Sequence, residues 1–303
     1  MEQKWDRFML GHTHLFITLD VNPPSLPNDP QVLEQLPDWL KQSAEDDDRT
    51  SALSYLLDDS IPGVVLIGGP GEGKSTLGQY LAQIYRAHLL GRLNELEGDV
   101  EVLEQSKPYI PFKILLREYA QWVYNQNTSD SLFHYLAIQV SCESGRDAKS
   151  EDIQDIIKSN PVILILDGLD EVPEKGLRMK VLDNVTSFVN QVRDVLEGNL
   201  RVIATTRPQG YSQEFDPAHY LHLTLQKLSS KKASSYAKRW ADARELNPRE
   251  SERIHEAFNT CIEDAVVRVL TQTPLQVTIL LVIIHARGAP PKQREELFEE
   301  YMV

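Results

Sequence analysis

Gly68-Gly69-Pro70-Gly71-Glu72-Gly73-Lys74-Ser75-Thr76 decides how the rest of the chain is read. It satisfies G-x-x-x-x-G-K-[ST]. It directly follows Val64-Val65-Leu66-Ile67, a short apolar run of the kind that forms a strand buried on both faces. It leads into Ser75 to Leu90, where Leu77, Leu81 and Ile84 recur at helical spacing. Strand, glycine-rich turn and helix together make a phosphate cradle. The glycines let the backbone curl so that its N–H groups point inward at phosphate oxygens, and the helix adds its positive end. Lys74 is expected to reach the β- and γ-phosphates, and Ser75 to offer a hydroxyl to Mg²⁺. Gly69, Pro70, Gly71, Glu72, Gly73, Lys74, Ser75 and Thr76 are therefore the expected nucleotide-binding residues.

Working outward, further apolar runs repeat the pattern. Phe112–Leu116, Val162–Leu166, Arg201–Thr206 and Tyr220–Thr224 read as strands two to five. A helix with Val181, Val185, Phe188, Val192 and Val195 on one face separates the third from the fourth. Strands alternating with helical segments imply an α/β fold, a parallel sheet with helices on both faces. After Leu225 no strand pattern remains. Helices are expected at about 230–243, 249–259, 261–270, 274–287 and 292–303. Upstream, His14–Leu19 reads as a strand that runs into Pro23, Pro24, Pro27 and Pro30. Residues 31–58 read as helical, interrupted by the acidic run Glu45-Asp46-Asp47-Asp48, a solvated loop.

The third strand ends in Asp167-Gly168-Leu169-Asp170-Glu171. In parallel α/β sheets ligands bind at the carboxyl ends of the strands. An Asp there suits Mg²⁺, so Ser75 and Asp167 are the expected metal residues. Asp170 and Glu171 bring two more carboxylates toward the same cleft, and either could orient or deprotonate an attacking water. Thr205-Thr206-Arg207-Pro208 closes the fourth strand. If that strand lies beside the first, Thr206 or Arg207 faces the γ-phosphate, which the planar guanidinium fork suits.

Lys and Arg number 31 against 45 Asp and Glu, a net charge of −14 over 303 residues. That balance argues against a bulk nucleic-acid binder, which needs clustered cations. Lys227, Lys231, Lys232, Lys238, Arg239 and Arg244 do cluster, which reads as a solvated helix face or, as the alternative, a contact with another protomer or an effector. Two cysteines, Cys142 and Cys261, make no disulfide framework and suit a reducing compartment. The start has no apolar core of the kind a signal peptide needs, and Val277–Ile284 is far short of a ~20-residue span. A cytoplasmic protein without membrane contact is expected.

These residues resemble a known family. Asp167-Gly168-Leu169-Asp170-Glu171 is similar to the Walker B variant of NACHT NTPases of the STAND class, with a small residue after the first Asp and acidic residues three positions on. Ile110–Tyr119 resembles the NACHT second strand with its Leu-Arg ending, and Ala204–Pro208 the sensor 1 strand. Leu225–Leu228 resembles the turn into the helical lid, Thr273-Pro274-Leu275 the lid proline motif, and Glu296–Tyr301 the helix that ends the NACHT region. The resemblance covers about 61–303. It implies a P-loop fold of the AAA+ and STAND type, with sheet order 5-1-4-3-2 and a C-terminal helical lid. The implied division is 1–60 as an N-terminal linker and helical segment, 61–225 as the nucleotide-binding domain, 226–291 as the lid, and 292–303 as a final helix leading toward a winged helix. Pro274 is then expected near the nucleotide base.

The resemblance implies a switch that binds and slowly hydrolyses ATP, rests with ADP, and self-associates in innate-immune or antiphage signalling. It also implies that this chain is the core of a longer protein whose effector and sensor domains lie elsewhere. Arg117 and Arg207 are candidates for an arginine finger. Two other classes stay open: a nucleotide-dependent assembly module with negligible turnover, and a small-molecule kinase. No Asn-Lys-x-Asp guanine-reading motif occurs.

Overall fold

Apolar runs at the expected places become five strands: β1 (Gly63–Ile67), β2 (Ile110–Leu115), β3 (Val162–Asp167), β4 (Leu200–Thr206) and β5 (Leu221–Thr224). They form one sheet in the order β2-β3-β4-β1-β5, with every neighbouring pair parallel. Read from the other edge the order is 5-1-4-3-2, as expected for a P-loop NTPase fold. The computed structural model describes residues 19–22, 50–93, 107–126, 131–269 and 271–287. The expected strand before Leu19, the helical reading of 31–49 with its acidic run, and the final helix 292–303 lie outside the described residues.

The period-two alternation of the strands builds two cores. Val64, Leu66, Ile163, Ile165, Ile203, Leu221 and Leu223 face one way, and Val65, Ile114, Leu164, Leu166, Val202 and Ala204 the other. The first face is covered by α1 (Ala52–Leu57) and by α2 (Lys74–Leu89), the helix that follows the glycine-rich loop. The second carries α3 (Leu116–Gln126), α4 (Leu132–Ser144), α5 (Ser150–Ser159) and α6 (Lys175–Asn190). The lid follows β5 as α7 (Ser230–Ala243), α8 (Pro248–Glu263), α9 (Ala265–Val269) and α10 (Pro274–Arg287). Its Trp240, Phe258 and Leu280 belong to the same apolar cluster as α2 and the first sheet face.

Local chemistry sets the element ends. Thr273 and Gln276 form a reciprocal capping box at the start of α10. Gln276 N–H donates to Thr273 Oγ1 (3.3 Å) and Thr273 N–H to Gln276 Oε1 (3.1 Å). Pro274 then occupies the first helical position, where its missing N–H costs nothing. Asn247 caps α8 ahead of Pro248, its Oδ1 accepting from the Glu250 N–H (3.0 Å), and Ser229 Oγ caps α7, accepting from the Lys232 N–H (3.3 Å).

Three differences from the sequence reading have physical causes. The second strand starts at Ile110 and ends at Leu115, and Leu116 already opens α3; an apolar run alone cannot mark where the hydrogen-bond partner changes from β3 to the helix. Val181, Val185, Phe188 and Val192 are buried as expected, but Val195 is 69% exposed. The chain after Asn190 widens into a π turn over Gln191–Val195, which rotates Val195 off the helical face. Residues Thr50–Ser51 are not helical; they pair antiparallel with Asp20–Val21. Val21 in turn bridges Leu225, just past the end of β5.

Candidate functional site

The loop between β1 and α2 folds around its own lysine. Lys74 Nζ donates to the carbonyls of Gly68 (2.6 Å) and Gly69 (3.0 Å). Gly71 (φ 72°) and Gly73 (φ 92°) take left-handed backbone, which a side chain would strain. Glu72 turns back, and its carboxylate accepts from the Gly69 N–H at 2.6 Å. Burial pushes the Lys74 ammonium below its ordinary value, against the pull of Asp170 and Glu72.

Three strand ends converge on this loop. Asp167, at the end of β3, is 5% exposed. Its Oδ1 accepts from Ser75 Oγ (2.9 Å) and from Thr205 Oγ1 (2.7 Å), and its Oδ2 lies 3.2 Å from Lys113 Nζ on β2. Thr205 also accepts from the Gly168 N–H at 2.8 Å. Gly168 has φ 82°, which bends the chain off the strand into the short 3-10 turn Leu169–Glu171. Asp170 is gripped by Arg207: the guanidinium Nε lies 2.8 Å from Oδ2, and the Arg207 N–H donates to Oδ1 at 3.2 Å. Glu171 faces Arg117 at 3.7 Å, with both groups largely in solvent.

These parts line one cleft of about 440 Å³. One end is Pro70, Gly71, Gly73, Lys74, Ser75 and Thr76, faced by Gly168, Asp170, Glu171, Thr205 and Arg207. Its other end is made by Leu19, by Tyr236 on α7, and by Pro274, Leu275 and Thr278 on α10. Tyr236 Oη and Thr278 Oγ1 are hydrogen-bonded at 2.7 Å. The lid lies directly on the loop: Leu275 N–H donates to the Gly71 carbonyl at 3.3 Å.

Most residues singled out from sequence therefore meet in one place. Gly69 and Glu72 bond one another at the rim and do not line the cleft, and Asp167 lies beneath it. At the fourth strand end the hydroxyl that reaches Asp167 belongs to Thr205; Thr206 Oγ1 donates to the neighbouring Arg207 carbonyl at 3.3 Å. Strand parity explains this, since Thr205 shares the face of Ile203, Ile165 and Asp167. Lys113 has the same parity, and the same signal could have found it. Leu19, Tyr236 and Thr278 carry no comparable signal, because they meet the loop only through the packing of distant segments.

The oxygens of Ser75 and Asp167 are the hard donors that Mg²⁺ prefers. Among the described residues no cluster of three His, Cys, Asp or Glu could hold a metal alone. This donor set fits a Mg²⁺ whose remaining ligands are phosphate and water. Nor, among the described residues, is any helix long and apolar enough to cross a membrane.

Neither a protein-family model nor a curated protein sequence matches the chain. Solved structures do resemble it, at low identity. One is PCH-2 of C. elegans, at 15% identity and TM-score 0.43, covering 80% of this chain and 62% of that one. A second is domain III of the Thermotoga maritima replication initiation protein DnaA, at 14% identity and TM-score 0.46, covering 91% and 98%. A third is AMPPCP-bound DnaA from Aquifex aeolicus, at 14% identity and TM-score 0.42, covering 80% and 61%. The chain thus spans about three fifths of two of these proteins. The fold assignment stands on strand order and loop geometry.

Proposed function

We propose that this chain is a nucleotide-controlled switch of the NACHT type, which binds ATP with Mg²⁺, hydrolyses it slowly and couples its nucleotide state to self-association. The observation that carries this reading is the convergence of Lys74, Ser75, Asp167, Asp170 and Arg207 under a lid whose Leu275 bonds the phosphate loop. The backbone N–H groups of the loop and Lys74 bind the phosphates. Ser75 and Asp167 hold Mg²⁺, which when bound neutralises charge developing on the phosphate oxygens. Arg207 reads the γ-phosphate. Asp170 or Glu171 orients the attacking water. Leu19, Pro274 and Leu275 supply the apolar face for the base. ATP rather than GTP, a cytoplasmic setting, and innate-immune or antiphage signalling belong to this proposal. So does a division into 61–225 as the nucleotide-binding domain and 226–291 as the lid.

Lys74→Ala is expected to abolish binding of a fluorescent ATP analogue, whereas Glu171→Gln keeps binding and lowers phosphate release. Wild-type binding by Lys74→Ala would remove the site assignment.

A second reading has its own support. Asp170 is tied to Arg207 and Glu171 faces Arg117, so both carboxylates have cationic partners. That arrangement favours an assembly module in which nucleotide holds protomers together with negligible turnover. Size-exclusion chromatography with a slowly hydrolysed analogue, beside single-turnover phosphate release from ATP, separates the two. Assembly without release selects the second.

A further inference from the structure

Lys113 stands out because nothing in the nucleotide reading calls for it. A lysine on an edge strand ordinarily keeps that edge wet and unpaired. Lys113 does something else. In the parallel ladder it lies opposite Ile165, so Asp167 is its diagonal neighbour on the same face, within reach of a long side chain. Its ammonium approaches Asp167 Oδ2 at 3.2 Å, and it is 27% exposed against 5% for the carboxylate. The other oxygen, Oδ1, is taken by the hydroxyls of Ser75 and Thr205. Orientation of the carboxylate is therefore already supplied by two neutral donors, and what Lys113 adds is a positive charge.

Resting on the nucleotide-binding reading above, we propose that Lys113 is a specificity-determining cation for the divalent site. It holds Oδ2 of Asp167 and opposes capture of a divalent ion by that carboxylate alone. The site accepts the metal only when a nucleotide phosphate brings its own charge and oxygen ligands. Removing the ammonium leaves the same carboxylate, still oriented by Ser75 and Thr205, with its full attraction for a dication. Two like charges within a few ångströms repel even in a partly wet site, and the relief is severalfold in affinity.

The test uses Mn²⁺ alone as probe, followed by paramagnetic resonance on the full chain without nucleotide. Lys113→Met and Lys113→Gln are expected to lower the half-saturating Mn²⁺ concentration by about three- to tenfold. Lys113→Arg, which restores the charge, returns it to within about twofold of wild type. A merely structural lysine would leave folding weaker and Mn²⁺ affinity unchanged or poorer in both uncharged variants, and that result overturns the proposal. Thermal melts identify which variants are folded, and either uncharged variant suffices. The nucleotide reading fails separately: it falls if Lys74→Ala binds a fluorescent ATP analogue as wild type does, whatever Lys113 does to Mn²⁺.

Discussion

At the scale of single residues, the site depends on hydroxyls as much as on charges. Thr205 is 1% exposed, and its one hydroxyl both donates to Asp167 and accepts from the Gly168 N–H. Thr205→Val keeps the shape and β-branching but leaves a buried carboxylate oxygen and a backbone N–H short of a partner. The expected loss is about 1–3 kcal/mol of unfolding free energy, read as a lower urea midpoint with an unchanged slope. Thr205→Ser should recover most of it. If Thr205→Val melts as wild type does, the hydroxyl does not hold the strand end. The hydroxyl's importance could have been read from parity along Ile203-Ala204-Thr205. The salt link between Asp170 and Arg207 could not, because it needs the 3-10 turn after Gly168 to aim the carboxylate across the cleft.

At the scale of elements, the loop and the first turn of α10 are fitted to one another. A Cβ on Gly71 would stand 2.8 Å from the Leu275 Cβ, and the residue already has φ 72°. Gly71→Ala therefore meets two penalties, a strained backbone and a collision with the lid. We expect it to destabilise the fold by about 1–3 kcal/mol and to weaken nucleotide binding, since relief requires the lid to move off the loop. Leu275→Gly in the same background, which removes that Cβ, should recover part of the binding loss. Calorimetry on the single and double variants checks this; equal effects in both would mean that backbone strain alone is at work. The capping box at Thr273 and Gln276 was legible in the order Thr-Pro-Leu-Gln. Its contact with Gly71 was not, because some two hundred residues of chain separate the partners and only the shared apolar cluster brings them together.

At the scale of the whole molecule, residues 19–22 tie the parts together. Leu19 lines the cleft and its carbonyl accepts from Ala52 N–H at 2.8 Å. The Asp20 carbonyl accepts from Gln226 N–H (2.9 Å), and Asn22 N–H donates to the Thr224 carbonyl (2.9 Å). The Asp20 carboxylate meets Lys232 of α7 at 2.7 Å. One short strand is thus bonded to the end of β5, to the turn that follows and to the lid. Asp20→Asn is expected to cost no more than about 1 kcal/mol, because the pair is partly screened by water, and the loss should shrink as salt is added. Urea titrations at low and high salt check it; a loss independent of salt would assign the effect to hydrogen bonding alone. The sequence by itself determined the five strands, the glycine-rich loop after the first of them, the acidic strand end and the helical character of the segments after β5. Each of these is written in local periodicity and in residue types whose backbone or charge admits few alternatives. Only the tertiary structure decided that Leu19, Tyr236 and Thr278 complete the cleft and that Asp170 is held by Arg207. Those contacts join segments far apart in the chain, and their geometry follows from strand register and helix packing, which no local pattern encodes.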